Sequence, residues 1–456
     1  MQMNGIHLQF LAQCGIVYAM KLFHSMRSWL VHAPTRAVRL LIFLALSLCA
    51  CSQNRRDSQT AQQTTAHRAM QSTVQPSEHN EHLRRTNQNV RICASVPTIE
   101  DEYIPLFHTN VFIRTDDDAL ADSIERELAR MHKLFDAHHY YYDDESEGVL
   151  KNLKIVNEYI AQSKSIHAGD EFAALLSDAI SLMRLTRGTF NIFLAPVSAL
   201  YAGKFSSFPI EQSDPDARAI EEALRRALNA DEAAECIAIK DGELSFFPRA
   251  TRQTETHVAD SGACLGYVLD FGGIAKGAAA RKISMLHPTS SFLLSIGSST
   301  IVSHGRTHRI GVASPYYKTL ALFQIDLPSG MAISTSGATN SYYMLADCPN
   351  TIRCHILDPR TGYSNDWWWS VIVASDNALV SDAVSTALFN VNDEAEIAAI
   401  IADTKAMYSC KLEACFVKDE NRKEKTVSLV MTRGFAPYVY GEYTGIGIAK
   451  TRMLEF

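Results

Sequence analysis

The sequence predicts an α+β fold: one large domain over residues 93–456, behind a signal segment (residues 1–51) and a polar tether (residues 52–92). Three observations carry this expectation. Helical and strand patterns alternate from residue 93 onward without a second linker, no internal repeat interrupts them, and 47% hydrophobic with 20% charged residues is the balance of a chain with a sizeable core. Charge divides the chain in the same way. The net charge is −7, yet residues 1–51 hold four basic groups and no acid, and residues 52–92 hold six Arg and three acids. Residues 93–456 are therefore left with about −14. An acidic body argues against nucleic acid as a partner, because phosphate binding needs a basic surface.

Taken in order, Arg36 and Arg39 precede the apolar run Leu40 to Leu48. That run is too short for a permanent bilayer span and has the length of a signal h-region. Leu48-Cys49-Ala50-Cys51-Ser52 follows and resembles a bacterial lipobox, with Cys51 as the lipidated residue because a small Ala precedes it. A signal-anchor segment with incidental cysteines is the plainer alternative. Ser52 to Arg91 is rich in Gln, Ser, Thr, Asn, His and Arg and nearly free of aliphatics, so it lacks the apolar surface to offset the entropy of ordering. As a random coil of about forty residues it spans roughly 35 Å. Its excess of positive charge suits anionic lipid or simple solvation.

In the body, Val111-Phe112-Ile113 reads as a strand, and Asp118 to Leu134 as a helix with Leu120, Ile124, Leu128 and Met131 on one face. Helices are expected at Glu171 to Arg187 and Asp214 to Ala230, with a polar inserted loop at Arg249 to Cys264 that includes His257. Strands are expected at Gly266 to Leu269, Ser291 to Ile296, Ile310 to Ala313, Leu320 to Leu327 and Ser370 to Ala374. Helices are expected at Ala278 to Ile283 and Leu379 to Asn390. Seven cysteines follow Cys51 without metal-site spacing, and the pairs Cys348/Cys354 and Cys410/Cys415 are close enough in sequence for small disulfide loops in an oxidising compartment. Trp367-Trp368-Trp369 reads as strand packing with one exposed ring, or as a partner-facing patch.

Chemistry concentrates in three segments. Asp270-Phe271-Gly272-Gly273-Ile274-Ala275-Lys276-Gly277 opens a helix. Paired glycines admit close backbone approach, helix N-terminal amides favour anions, and Lys276 adds a point charge, although a plain tight turn explains the glycines equally well. His355-Ile356-Leu357-Asp358-Pro359-Arg360-Thr361-Gly362 offers an imidazole that titrates near neutrality, a general base or a structural histidine. Asp382 and Thr386 are four apart, which on a helix gives two hard oxygen ligands on one face for Mg²⁺, or a cap plus a solvent-facing hydroxyl.

In this order, with Ile333-Ser334-Thr335-Ser336-Gly337 between them, these segments resemble the FAD:protein FMN transferase (ApbE) family. Its members carry Asp-x-Gly-Gly-Ile-Ala-Lys-Gly, a Thr-Ser-Gly turn, His-Ile-x-Asp-Pro-x-Thr-Gly and Asp-Ala-x-Ser-Thr along one domain. A weaker likeness extends upstream to Ser146-Glu147, Asn152 and Gly188-Thr189-Phe190-Asn191. The resemblance implies a single ApbE-like (T-fold-like) domain and a membrane-anchored lipoprotein on the extracytoplasmic face. It implies that Asp270 and Lys276 contact FAD, with Phe190, Asn191, Thr335 and Ile356 at the nucleotide. It also implies that the backbone at Gly273 with Asp382 and Thr386 holds Mg²⁺, and that His355 activates the acceptor hydroxyl. FMN would then pass to Thr or Ser of exported proteins carrying a Ser-Gly-Ala-Thr-like segment, with release of AMP.

Two departures stand out. Phe190-Asn191-Ile192-Phe193 replaces the family's Phe-Asp-x-Thr, and Gly297-Ser298-Ser299 replaces a Gly-Gly turn. They keep two alternatives open: an FAD pyrophosphatase in which water takes the place of the acceptor, and a non-catalytic FAD-binding lipoprotein. Ser336-Gly337-Ala338-Thr339-Asn340-Ser341 itself resembles an acceptor segment, which raises self-modification at Thr339.

Overall fold

A computed structural model describes residues 90–456 apart from 145–147, 209, 250–265, 318–319, 340 and 442–446. Cys51, the apolar run, the tether up to residue 89, His257, Cys264 and Ser146-Glu147 lie outside the described residues.

The frame is a nine-stranded sheet whose strands lie side by side in chain order: β1 (Val90–Ile92), β2 (Val111–Arg114), β3 (Phe292–Ile296), β4 (Thr300–His304), β5 (Met331–Gly337), β6 (Ser370–Ser375), β7 (Leu412–Asn421), β8 (Thr426–Met431) and β9 (Ile448–Met453). Neighbours are antiparallel except β8 and β9, which are parallel. Strand β1 pairs Arg91 with Ile113, so the sheet takes in Val90–Ile92, a stretch the sequence assigned to the tether. Every residue of β6 is buried, as its unbroken Val371-Ile372-Val373-Ala374 run requires of a strand covered on both faces.

The longer helices among the described residues are α1 (Asp118–Phe135), α2 (Leu153–Ala161), α3 (Asp170–Leu185), α4 (Ala275–Leu286), α5 (Ala378–Phe389) and α6 (Glu394–Tyr408). In α1 the Asp117 side chain caps the first turn at Leu120 N, and Leu120, Ile124, Leu128 and Met131 are all buried, as the spacing predicts. Helix α5 crosses β5 and β6, and α4 packs against α5. That approach depends on Gly277, where a Cβ would fall 2.5 Å from both the Ala378 carbonyl oxygen and Asp382 Cβ. None of the helices among the described residues is long and apolar enough to cross a membrane.

Three expectations need correction. Residues 266–269 are not a strand. The Asn157 side chain does the work of a partner strand there, donating Nδ2 to the Leu269 carbonyl at 3.0 Å and accepting the Leu269 N–H at 2.9 Å, a tertiary substitute invisible to local pattern. The long helix expected over Asp214 to Ala230 is two shorter ones, Ala217–Leu224 and Ala230–Cys236. Asp216 caps the first, and Asn229 opens the second with a capping box to Glu232, while Asp214 is drawn away to pair with Arg353 at 3.0 Å. The cysteines within the described residues are free thiols. Cys348 and Cys354 end the same strand, Cys348–Cys354, and so sit about 20 Å apart by strand rise, against the 7 Å limit for a bridge. Cys415 is enclosed within β7, and Cys410 precedes that strand. The tryptophans precede β6 and lie outside any strand: Trp368 and Trp369 are buried, Trp367 is half-buried, and Trp368 lies 4.8 Å from the Phe416 ring and donates to Val391 O at 2.7 Å.

Candidate active site

One cleft of about 950 Å³ gathers every candidate within the described residues: Phe190, Asn191, Asp270, Gly273, Lys276, Thr335, His355, Ile356, Asp382 and Thr386. Its walls are the glycine turn ahead of α4, the β3–β4 turn, strand β5, the His355 segment, helix α5 and the separate strand His308–Ala313. A second cavity, of about 350 Å³ beside Trp367 and Trp368, contains none of these residues.

Helix α5 shows how local sequence aims chemistry. All its residues are buried except Thr386, which faces the cleft. Its hydroxyls divide into two rows. Ser381 and Ser385 meet Ser334 and Ser336 of β5 at 2.8 and 2.9 Å, which fastens the helix to the sheet. Strand alternation then leaves Thr335, between those two serines, on the cleft side. Asp382 and Thr386 form the other row.

Asp382 is 5% exposed, and each carboxylate oxygen accepts one hydrogen bond, Oδ2 from Gly277 N at 2.8 Å and Oδ1 from the Thr300 hydroxyl at 3.1 Å. No lysine, arginine or histidine forms an ion pair with it among the described residues. An enclosed carboxylate without a counter-cation is costly, so the environment is built for a cation. Thr386 donates to the Asp382 carbonyl at 3.2 Å and lies 3.3 Å from the Ser336 hydroxyl, which leaves one oxygen lone pair toward the cleft, and Gly273 presses close enough that a Cβ would lie 3.5 Å from that oxygen. Carboxylate, hydroxyl and backbone oxygens are hard donors, the chemistry that Mg²⁺ requires.

The turn at Asp270 is pinned from both sides. Asp270 N donates to Ile192 O at 2.7 Å, and Asp270 Oδ1 accepts Gly272 N at 2.8 Å. Lys276 reaches back to Gly272 O at 3.1 Å, which places its ammonium at the cleft wall.

His355 follows the strand Cys348–Cys354 and is exposed to the interior of the cleft. Crowding by the walls desolvates the ring and lowers its pKa below the ordinary imidazole value; the Ser341 carbonyl opposes that shift and the charge of Lys276 reinforces it. Nδ1 points at Ser341 O across 3.5 Å, so the proton belongs on Nδ1 and the Nε2 lone pair is free. Asp358, in the same motif, is structural: it binds Arg360 at 2.9 Å and Asn365 at 3.0 Å and holds the turn.

The two departures resolve differently. Asn191 lines the cleft, but its amide is spent on backbone, donating to Leu228 O at 2.9 Å and accepting Phe193 N at 2.7 Å. Phe193 is fully buried against Tyr267. Ser298 adopts a left-handed φ of 56°, so the turn keeps a shape that glycine reaches without strain. Ser336 and Gly337 belong to β5 and pair with β6, so the acceptor-like stretch begins inside the sheet.

Sequence reasoning missed Thr300, 82 residues from the carboxylate it binds, and His108, which also lines the cleft. No contiguous motif marks either. The period-two serines of β5 set against the period-four serines of α5 were a legible signal for the docking of that helix.

The fold and the cleft define an α+β protein with one large polar cleft, and comparison with known proteins places it in a family. The ApbE family model matches residues 107–409, and the chain belongs to that family. A curated relative from Rhodobacter capsulatus, named FAD:protein FMN transferase, is 31% identical over 157 residues, or 33% of this chain and 29% of that protein. The chain thus spans under a third of that relative's length. Among solved structures, the flavin transferase ApbE from Vibrio cholerae superposes with a TM-score of 0.53 at 18% identity, covering 76% of this chain and 99% of that one. The flavinyl transferase ApbE from Pseudomonas stutzeri gives 0.52 at 18%, covering 77% and 98%. The ApbE protein of Thermotoga maritima gives 0.51 at 20%, covering 72% and 94%. At these identities the likeness is one of fold.

Proposed function

We propose that this chain is a Mg²⁺-dependent FAD:protein FMN transferase that joins FMN through a phosphoester bond to a Thr or Ser hydroxyl of exported proteins and releases AMP. The observation that carries the reading is the convergence, in one cleft, of a histidine with a free Nε2 and an enclosed carboxylate without a counter-cation. Family membership and the name of the Rhodobacter capsulatus relative support it.

In this scheme His355 Nε2 takes the proton of the acceptor hydroxyl as its oxygen bonds to the FMN-side phosphorus. The bond from that phosphorus to the bridging oxygen breaks, and AMP leaves with the electron pair. Asp382, Thr386 and the Gly273 backbone would hold Mg²⁺, which supplies charge neutralisation at the pyrophosphate. Lys276 adds positive charge, and Asp270 and Ile356 orient the nucleotide. The lowered His355 pKa keeps the base neutral at physiological pH, as proton abstraction requires.

We further propose that Cys51 carries the lipid that tethers the enzyme to a bacterial membrane on the extracytoplasmic side, with acceptors bearing a Ser-Gly-Ala-Thr-like segment. One assay tests the reaction: incubation with FAD, Mg²⁺ and a protein displaying that segment. Covalent flavin on the acceptor with stoichiometric AMP supports transfer, AMP with free FMN supports the pyrophosphatase, and intact bound FAD supports the binding protein. Release of Cys51→Ser from the membrane fraction checks the tether.

A further inference from the structure

A second polar centre lies behind His108, which itself lines the cleft. Asp136 follows α1, and its side chain is wholly enclosed. Four histidines surround it: His108, His132, His138 and His139. Its Oδ2 lies 2.8 Å from His139 Nδ1 and 3.7 Å from His108 Nε2 and accepts the Tyr141 hydroxyl at 2.6 Å, while Oδ1 accepts His138 N at 2.6 Å. The His108 ring centroid is 5.7 Å from that of His139 and 5.8 Å from that of His138.

We propose that His108, Asp136 and His139 form a binding site for a divalent transition-metal ion of the Zn²⁺ type, distinct from the proposed Mg²⁺ pair Asp382–Thr386. Two imidazoles and one carboxylate are a borderline-soft donor set that favours Zn²⁺ over Mg²⁺. Ligand atoms of a tetrahedral site with bonds of about 2.0–2.1 Å stand about 3.4 Å apart; Asp136 Oδ2 lies 2.8 Å from His139 Nδ1 and 3.7 Å from His108 Nε2, and the two imidazoles, with ring centroids 5.7 Å apart, must draw together around the ion. The ion takes the place of the hydrogen that His139 Nδ1 donates to Asp136; through solvent the neutral ring exchanges that proton for one on Nε2, which leaves the Nδ1 lone pair for the metal.

His132 also lies close, since donor atoms of His108, His132 and Asp136 fall within 4.8 Å of one another. It is excluded as a ligand by its tautomer. Its Nδ1 accepts the Phe107 N–H at 3.0 Å, so Nε2 carries the proton and faces the Tyr141 hydroxyl at 3.1 Å. His132 therefore orients Tyr141, which in turn orients Asp136, the outer-shell arrangement that ligating carboxylates use.

The backbone points the same way. Phe107 and His108 both adopt left-handed conformations, at φ 52° and 54°, a costly choice for two successive bulky residues. The turn aims the His108 ring toward Asp136 while leaving its side chain 47% exposed, with room for solvent or a further ligand on the cleft side. The proposal stands on these contacts and does not depend on the flavin reading.

The test uses the tag-free full-length chain, stripped with chelator and then held in excess Mg²⁺. Zn²⁺ is titrated by calorimetry, and Co²⁺ by visible absorption. The expected result is one Zn²⁺ site per chain that Mg²⁺ does not displace, with Co²⁺ bands of low coordination number. His108→Gly and His139→Gln should each weaken this site by about two orders of magnitude. Glycine suits φ 54°, so His108→Gly should keep the metal-free melting temperature while losing the Zn²⁺-induced rise, which separates loss of a ligand from loss of fold. Asp382→Ala should retain the Zn²⁺ site. Unchanged Zn²⁺ affinity in His108→Gly or His139→Gln, or loss of the site in Asp382→Ala, would overturn the proposal.

Discussion

Two enclosed aspartates, Asp382 at the cleft and Asp136 behind His108, are dressed in opposite ways. Asp382 receives a helix amide and a threonine hydroxyl, and among the described residues no cationic side chain pairs with it. Asp136 receives a tyrosine and an imidazole, with further histidines close by. Burial is similar, so burial does not set their chemistry. Neighbouring donors do: oxygen donors around Asp382 suit the proposed Mg²⁺, and imidazoles around Asp136 suit the proposed softer ion.

The comparison can be broken most directly at Asp382. Asp382→Ala should lower FMN transfer by about a thousandfold, roughly 4 kcal/mol of transition-state stabilisation, measured as covalent flavin on the acceptor and as AMP. Retention of full activity would move the Mg²⁺ site elsewhere.

His355 offers the next largest effect and adds a pH signature. His355→Ala should slow transfer by about a hundredfold or more. A base must be neutral to act, and the folded pKa of His355 is lowered. The acid limb of kcat/KM in the parent should therefore fall below about pH 6.5, the ordinary imidazole value, and should vanish in the variant. A limb above that value would contradict the geometry of the ring.

Gly277→Ala probes the scaffold that holds Asp382. Its methyl would lie 2.5 Å from the Ala378 carbonyl, so α4 and α5 must separate. A loss of about 1–3 kcal/mol in denaturant unfolding is expected, together with weaker Mg²⁺ affinity. The smallest effect belongs to Thr300→Val, which removes the hydrogen bond to Asp382 Oδ1. Mg²⁺ affinity should fall about tenfold while Zn²⁺ binding at the histidine cluster stays constant, so this variant separates the two centres with little risk to the fold.

Much of the Asp382 centre was legible from sequence because each piece is contiguous. Asp270 to Gly277, His355 to Gly362 and Asp382 to Thr386 each admitted a plain structural reading alone, but their order along the chain carried the resemblance, and the fold brings all three to one cleft. The Asp136 centre was not legible. Its ligands come from a left-handed turn at His108 and a loop after α1, and no propensity rule anticipates two successive bulky residues at positive φ. Residues 266–269 failed for a related reason, since their partner is the side chain of Asn157, more than a hundred residues away in the chain.

The sequence by itself determined most of the helices and strands and marked His355 and Asp382 as candidates, because period, glycine placement and side-chain chemistry are local properties. Only the tertiary structure decided which groups surround each carboxylate: Thr300 at 82 residues' distance, Gly277 at 105, and His108 across the turn from Asp136. The electrostatic character of a buried charge depends on what packs against it, and packing partners distant in the chain leave no trace in local pattern.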